Sequence, residues 1–69
     1  MEMLIIYLRA QIKLYEHLIE FNEEANLKFP PEPESKEDVI VQYYFKGKIE
    51  AFQFVVKSMS DYLKFLENA

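Results

Sequence analysis

The chain has 69 residues, of which 51% are hydrophobic and 16% aromatic, and its formal net charge is −4. This length allows one small domain, and the hydrophobic content excludes a disordered tail. One glycine is too few for a protein built from β-hairpins, and the absence of cysteine excludes disulfides and cysteine-ligated zinc. The acidic balance counts against nucleic acid as the main partner.

A domain of this size buries too little apolar surface to be comfortably stable alone. Small proteins compensate with disulfides, with metals or by associating with further copies. The absence of cysteine excludes disulfides, and a single histidine supplies few nitrogen ligands for a metal. Composition therefore favours self-association.

The first helix is predicted over residues 2–27, which contain no proline or glycine. One apolar row alternates spacings of three and four residues and comprises Ile5, Leu8, Ile12, Tyr15 and Ile19. A second row beside it comprises Leu14, Leu18, Phe21 and Ala25. Together they span an apolar arc of roughly 200°, about twice what one neighbouring helix covers.

A proline-rich turn is predicted over residues 28–35, which contain all three prolines of the chain. A connection this short joins helices that are neighbours in space, so we expect them to run antiparallel. Ser35 is predicted to cap the second helix, with Asp38 reaching back in a variant of the capping box.

The second helix is predicted over residues 36–67, and its apolar arc also exceeds roughly 200°. Since neither arc is covered by one partner helix, residues 1–69 are predicted to form a single all-α domain, an antiparallel helical hairpin that dimerises into a four-helix bundle. The residues predicted to form the interface on this helix are Tyr44, Gly47, Lys48, Ala51, Val55, Met59 and Tyr62. On the first helix they are Ile5, Leu8, Ile12, Tyr15 and Ile19.

Two of these residues are unusual for an apolar helix face. Lys48 either extends its amine to the surface, pairs with an acid such as Glu16, or marks a ligand or partner site. Gly47 lies inside a long helix, where glycine costs about 1 kcal/mol relative to alanine. With Ala51 and Ser58 it forms a row of small residues that favours close helix packing or a docking groove.

Acidic pairs flank the turn and raise the possibility of a metal site. Glu20 with Glu23 and Glu34 with Glu37 have the E-x-x-E spacing that holds magnesium in all-α pyrophosphohydrolases. Helix capping and a solvated acidic turn region are the favoured explanation, because Glu37 and Asp38 already act as cap and dipole partners and no E-x-x-D follows on the second helix. His17 lacks a nucleophile to act on and is expected at the surface. We therefore predict no enzyme activity, no metal and no cofactor.

The remaining charges offer two weaker hypotheses. Lys46, Lys57 and Lys64 line one face and could contact phosphates, but aromatic side chains are not interleaved with them as in single-strand binders. The acidic residues around the turn could attach to a basic protein surface.

The segment 44–52, Tyr-Phe-Lys-Gly-Lys-Ile-Glu-Ala-Phe, is followed by Val55. It resembles the second helix of small uncharacterised proteins from phages and prophages of Gram-positive bacteria, which share the G-K-x-E-A core. This resemblance implies an accessory phage protein that binds a host or phage protein. It implies no catalytic residue.

The apolar run near the start of the chain is flanked by Glu2 and Arg9 and is too short for a signal peptide or a membrane span. We therefore expect a cytoplasmic protein with no membrane partner. The leading functional hypothesis is a non-enzymatic interaction or assembly module that associates with itself. The alternatives are a small regulator or inhibitor that binds one host protein and, more remotely, a metal-dependent phosphohydrolase relic.

Overall fold

A computed structural model describes residues 2–28 and 34–68. Helix α1 spans Glu2–Asn26 and helix α2 spans Lys36–Glu67. The sequence predicts 2–27 and 36–67 for these helices. Most of the predicted proline-rich turn, residues 29–33, lies outside the described residues.

The two helices run antiparallel along a body measuring 51 × 14 × 13 Å. Arg9, near the start of α1, contacts Glu67, the last residue of α2. Further along, the ring centroids of Tyr15 and Phe52 lie 5.6 Å apart. The predicted all-α antiparallel hairpin is therefore confirmed. We call the end where α1 finishes and α2 begins the tip, and the other end the open end.

The start of α2 is fixed by its cap, as predicted. The Ser35 hydroxyl accepts a hydrogen bond from the Asp38 backbone N–H at 3.2 Å. The Asp38 carboxylate accepts from the Glu34 backbone N–H, also at 3.2 Å, one residue before the position bonded in a standard capping box. Two N–H groups near the helix start are thereby satisfied by side chains.

The helices meet along a single seam with alternating spacings of three and four residues, as in a coiled coil. Its α1 members are Ile5, Leu8, Ile12, Tyr15, Ile19, Asn22 and Asn26, all buried or half-buried. Its α2 members are Gln42, Phe45, Ile49, Phe52, Val56, Met59, Leu63 and Leu66, again buried or half-buried.

The seam buries few hydrophobic side chains completely. Among the described hydrophobic side chains only Leu8 and Leu66 are more than nine-tenths buried, with 7% and 8% of their surface exposed. Two helices cannot enclose a residue on all sides, so the other hydrophobic residues of the seam keep an edge in solvent. The hairpin alone therefore has a thin core.

Candidate interaction surface

A second pair of apolar rows lies beside the seam, and we call it the apolar face. On α1 it consists of Leu4, Tyr7, Gln11, Leu14, Leu18, Phe21 and Ala25. On α2 it consists of Val41, Tyr44, Lys48, Ala51, Val55, Ser58, Tyr62 and Phe65. Both rows again alternate spacings of three and four residues, so each helix carries a second heptad-like row besides its seam row.

Both rows of the apolar face lie on the same side of the hairpin. Each face residue directly precedes a seam residue, so each row is rotated from the seam by about 100°, in the same sense when each helix is viewed from its N-terminus. Because the helices are antiparallel, equal rotations bring the two rows to one side.

The opposite side of the hairpin, which we call the polar side, confirms this arrangement. Its α1 members are Glu2, Ile6, Arg9, Lys13, Glu16, Glu20 and Glu23. Its α2 members are Tyr43, Lys46, Glu50, Gln53, Lys57, Ser60, Lys64 and Glu67, so this side also carries one exposed aromatic ring. A nitrogen of the Arg9 guanidinium lies 2.7 Å from Oε1 of Glu67, which places the two polar rows side by side.

Large side chains on the apolar face are open to solvent. Leu14 is 51% exposed, although it lies in the middle of the α1 row. The face has five aromatic residues, each exposed over about half of its surface or more, namely Tyr7, Phe21, Tyr44, Tyr62 and Phe65. The rings of Tyr62 and Phe65 stack with their centroids 6.5 Å apart and their planes 13° apart. Exposed apolar surface of this kind is typical of interaction sites.

The accessible area of the whole chain is also large for its mass. The hairpin exposes 5623 Å². A compact monomer of 8.3 kDa exposes about 4,600 Å² by the usual scaling of area with mass. The excess is about 1,000 Å², which is comparable to the roughly 800 Å² that each partner buries in a standard protein interface.

Lys48 is the one charged residue on the apolar face. It is half-buried, and its Nζ lies 4.9 Å from the centroid of the Tyr44 ring, a cation–π arrangement. Glu16, the acid suggested from the sequence, lies on the polar side. Among residues 2–28 and 34–68, the side-chain contacts with carboxylates at ion-pair distance are Arg9 with Glu67 and His17 with Glu20, so Lys48 has no carboxylate partner there.

The residues predicted for the interface separate into three groups. One group forms the seam within the hairpin and consists of Ile5, Leu8, Ile12, Tyr15, Ile19 and Met59. A second group lies on the apolar face and consists of Tyr44, Lys48, Ala51, Val55 and Tyr62. Gly47 alone forms the third. The residues of the first group contact the other helix of the same hairpin. The residues of the second group lie outside the seam and are left to contact another molecule.

Gly47 does not serve close packing within the hairpin. It is exposed on the outer surface of α2, and a Cβ added there would meet no described atom within 4 Å. Its backbone is helical without a positive φ. A role between copies stays a prediction.

Sequence reasoning overlooked the polar end of the seam. Asn22 is 4% exposed, and its side-chain amide donates to the Leu18 carbonyl one turn earlier at 2.6 Å. In Asn26 the buried Oδ1 accepts no hydrogen bond from the described residues. The signal was present, because positions 22 and 26 continue the alternation that leads up to Ile19. The seam is thus apolar towards the open end and polar at the tip.

The other candidate residues are dispersed. The ring of His17 is exposed, with Nδ1 3.9 Å from a carboxylate oxygen of Glu20. Lys46, Lys57 and Lys64 are exposed on the polar side. In the part of the chain that the structure describes, no three histidine or carboxylate side chains come close enough to hold a metal ion.

Neither described helix has a stretch sufficiently long and apolar to cross a membrane.

No protein-family model matches the chain, and no curated protein or solved structure is significantly similar to it.

Proposed function

We propose that this protein is a non-enzymatic assembly module of the cytoplasm that works as a homo-oligomer. Two hairpins pack through their apolar faces into a four-helix bundle. The observation that carries the proposal is the apolar face, a second set of heptad-like rows that the hairpin leaves exposed.

The need for a partner follows from the thin core. An interface that buries the excess of about 1,000 Å² per chain would contribute favourable apolar burial at about 25 cal/mol per Å². Part of that contribution offsets the entropy lost on association. The hairpin offers no disulfide as an alternative source of stability.

A second copy fits the face because it presents the same geometry. Four-helix bundles pack side chains with spacings of three and four residues into matching holes on neighbouring helices. Each copy brings two such rows, one from each helix. A twofold axis through the face would let every row meet a complementary row on the partner.

Sedimentation equilibrium of paired variants tests this proposal. Leu14→Glu places a charge on the apolar face, and Ile6→Glu places the same charge on the polar side of the same helix. The two side chains are matched, with 51% and 55% of their surfaces exposed. We expect the first variant to be monomeric and the second to retain the mass of the parent. Helical circular dichroism, expected to persist in both, verifies that the hairpin forms. A parent-like mass for Leu14→Glu, or equal loss of association in both, would refute the proposal.

The second candidate function is a regulator that binds a different protein, which the resemblance to phage proteins implies. A specific observation supports it: Ile40, Tyr43 and Phe54 are exposed on α2 outside the apolar face. A dimer built on that face would leave them accessible. If this function holds, Phe54→Glu abolishes capture of a partner from the native host while leaving the dimer mass unchanged.

A further inference from the structure

We infer that the second copy lies antiparallel to the first, so that the tip of each hairpin packs beside the open end of the other. This inference rests on the proposed self-association and adds its orientation and the environment of Lys48. Two independent features carry it: the distribution of charge along the hairpin and the position of the polar residues on the apolar face.

Charge is unevenly divided between the two ends of the hairpin. The half nearer the tip, residues 15–28 and 34–50, holds eight carboxylates and four lysines. The half nearer the open end, residues 2–14 and 51–68, holds three carboxylates and four basic side chains. With His17 neutral, the net charges are −4 and +1.

Orientation decides which of these halves meet. A parallel pair would place two halves of charge −4 beside each other, on facing helices whose axes lie about 10 Å apart. An antiparallel pair sets −4 against +1 at both ends. At an ionic strength near 0.1 M, where the screening length is about 10 Å, contacts between adjacent halves outweigh those between distant ones. The charge distribution therefore favours the antiparallel pair.

The polar residues of the apolar face show the same complementarity. The α2 row runs from Val41 to Phe65, so its middle lies at the level of residue 53. Lys48 lies five residues from this level towards the tip, and Ser58 lies five residues from it towards the open end. On α1, Gln11 also lies on the open-end side of the middle of its row.

In the antiparallel pair, a twofold axis at the level of residue 53 exchanges the two ends of the α2 row. Lys48 of one copy therefore lies level with Ser58 of the partner subunit. The hydroxyl can accept a hydrogen bond from the Lys48 amine. In the parallel pair both copies of Lys48 lie at one level within an apolar surface. Like charges held there, with no carboxylate nearby, are costly. The lone lysine thus penalises the parallel orientation.

Distances between spin labels in the dimer test the orientation. The chain has no cysteine, so Glu37→Cys gives a single labelled position near the tip. It lies 16 residues from the level of residue 53, or about 24 Å at 1.5 Å per residue. We expect the two labels of an antiparallel dimer to lie about 50 Å apart, whereas a parallel dimer would bring them within about 30 Å.

The control label is Ala10→Cys, an exposed position near the middle of the hairpin. Its copies should lie roughly 20–30 Å apart in either orientation, given helix spacings of about 10 Å. A dimer mass with the long Glu37→Cys distance supports the inference. A dimer mass with the short distance overturns the orientation and leaves the proposed function intact. A monomer mass with no distance between chains overturns both.

Discussion

Arg9 and Glu67 join the two ends of the chain on one side of the hairpin, through a hydrogen-bonded ion pair of 2.7 Å. Both side chains are partly exposed, so the pair contributes at most about 1 kcal/mol to stability. Its importance is geometric. It places the charged rows of α1 and α2 together, and the apolar rows of both helices therefore share the other side.

The cap of α2 gives the most local prediction. Ser35→Ala removes the acceptor for the Asp38 N–H and should lower the free energy of unfolding by about 1 kcal/mol. Ser60→Ala, inside the same helix, serves as the control and should cost less than about 0.3 kcal/mol, since alanine is the better helix former. Urea unfolding at one fixed protein concentration measures both. Equal losses in the two variants would contradict the capping role.

Gly47 gives a prediction of the opposite sign. Gly47→Ala should stabilise the protein by about 1 kcal/mol, because alanine restricts the unfolded chain and a Cβ at this exposed site meets no described atom within 4 Å. Thermal and urea unfolding check this. A loss of stability together with a fall in the dimer mass would show that Gly47 packs closely against another copy.

Much of the fold could be predicted from the sequence because its determinants are local. The proline content of residues 28–35 interrupts the helices, Ser35 and Asp38 mark the start of α2, and the alternating spacings identify the inner surface of each helix. The width of both apolar arcs also indicated that one hairpin leaves apolar surface uncovered.

The division of those arcs required the tertiary structure. From the sequence, seam residues such as Leu8 and face residues such as Val55 had equal standing as interface residues. Only the relative rotation of the helices shows that Leu8 faces α2 and that Lys48 and Glu16 lie on opposite sides. Asn22 was not predicted to be buried in the seam, because a polar residue that follows an apolar row indicates the end of that row. The structure buries it between the helices.

Salt dependence should report the orientation of the copies. In the antiparallel pair, attraction between the tip and the open end is screened by salt. The dissociation constant should therefore rise about two- to fivefold between roughly 0.1 and 0.5 M NaCl. Sedimentation equilibrium at several salt concentrations measures it. The variant Glu23→Gln with Glu24→Gln, which removes two exposed charges near the tip, should show a smaller slope. A dissociation constant that falls as salt rises would indicate two acidic tips in contact.

An added carboxylate tests the environment of Lys48. Ser58→Asp should tighten the antiparallel dimer about 3- to 10-fold, because the new charge lies level with Lys48 of the partner subunit. Ser60→Asp makes the same change on the polar side, away from the proposed interface, and should leave the dissociation constant within about twofold. If Ser58→Asp weakens the dimer while Ser60→Asp does not, Lys48 does not lie opposite that position.

The most direct test of self-association through the apolar face is the mass of the unmodified chain in solution at micromolar concentration, measured by sedimentation equilibrium beside Leu14→Glu. We predict twice the chain mass of 8.3 kDa for the parent, with dissociation on dilution, and a single chain mass for the variant. A parent that remains at a single chain mass over the whole accessible concentration range, with its helices intact, would contradict self-association through the apolar face.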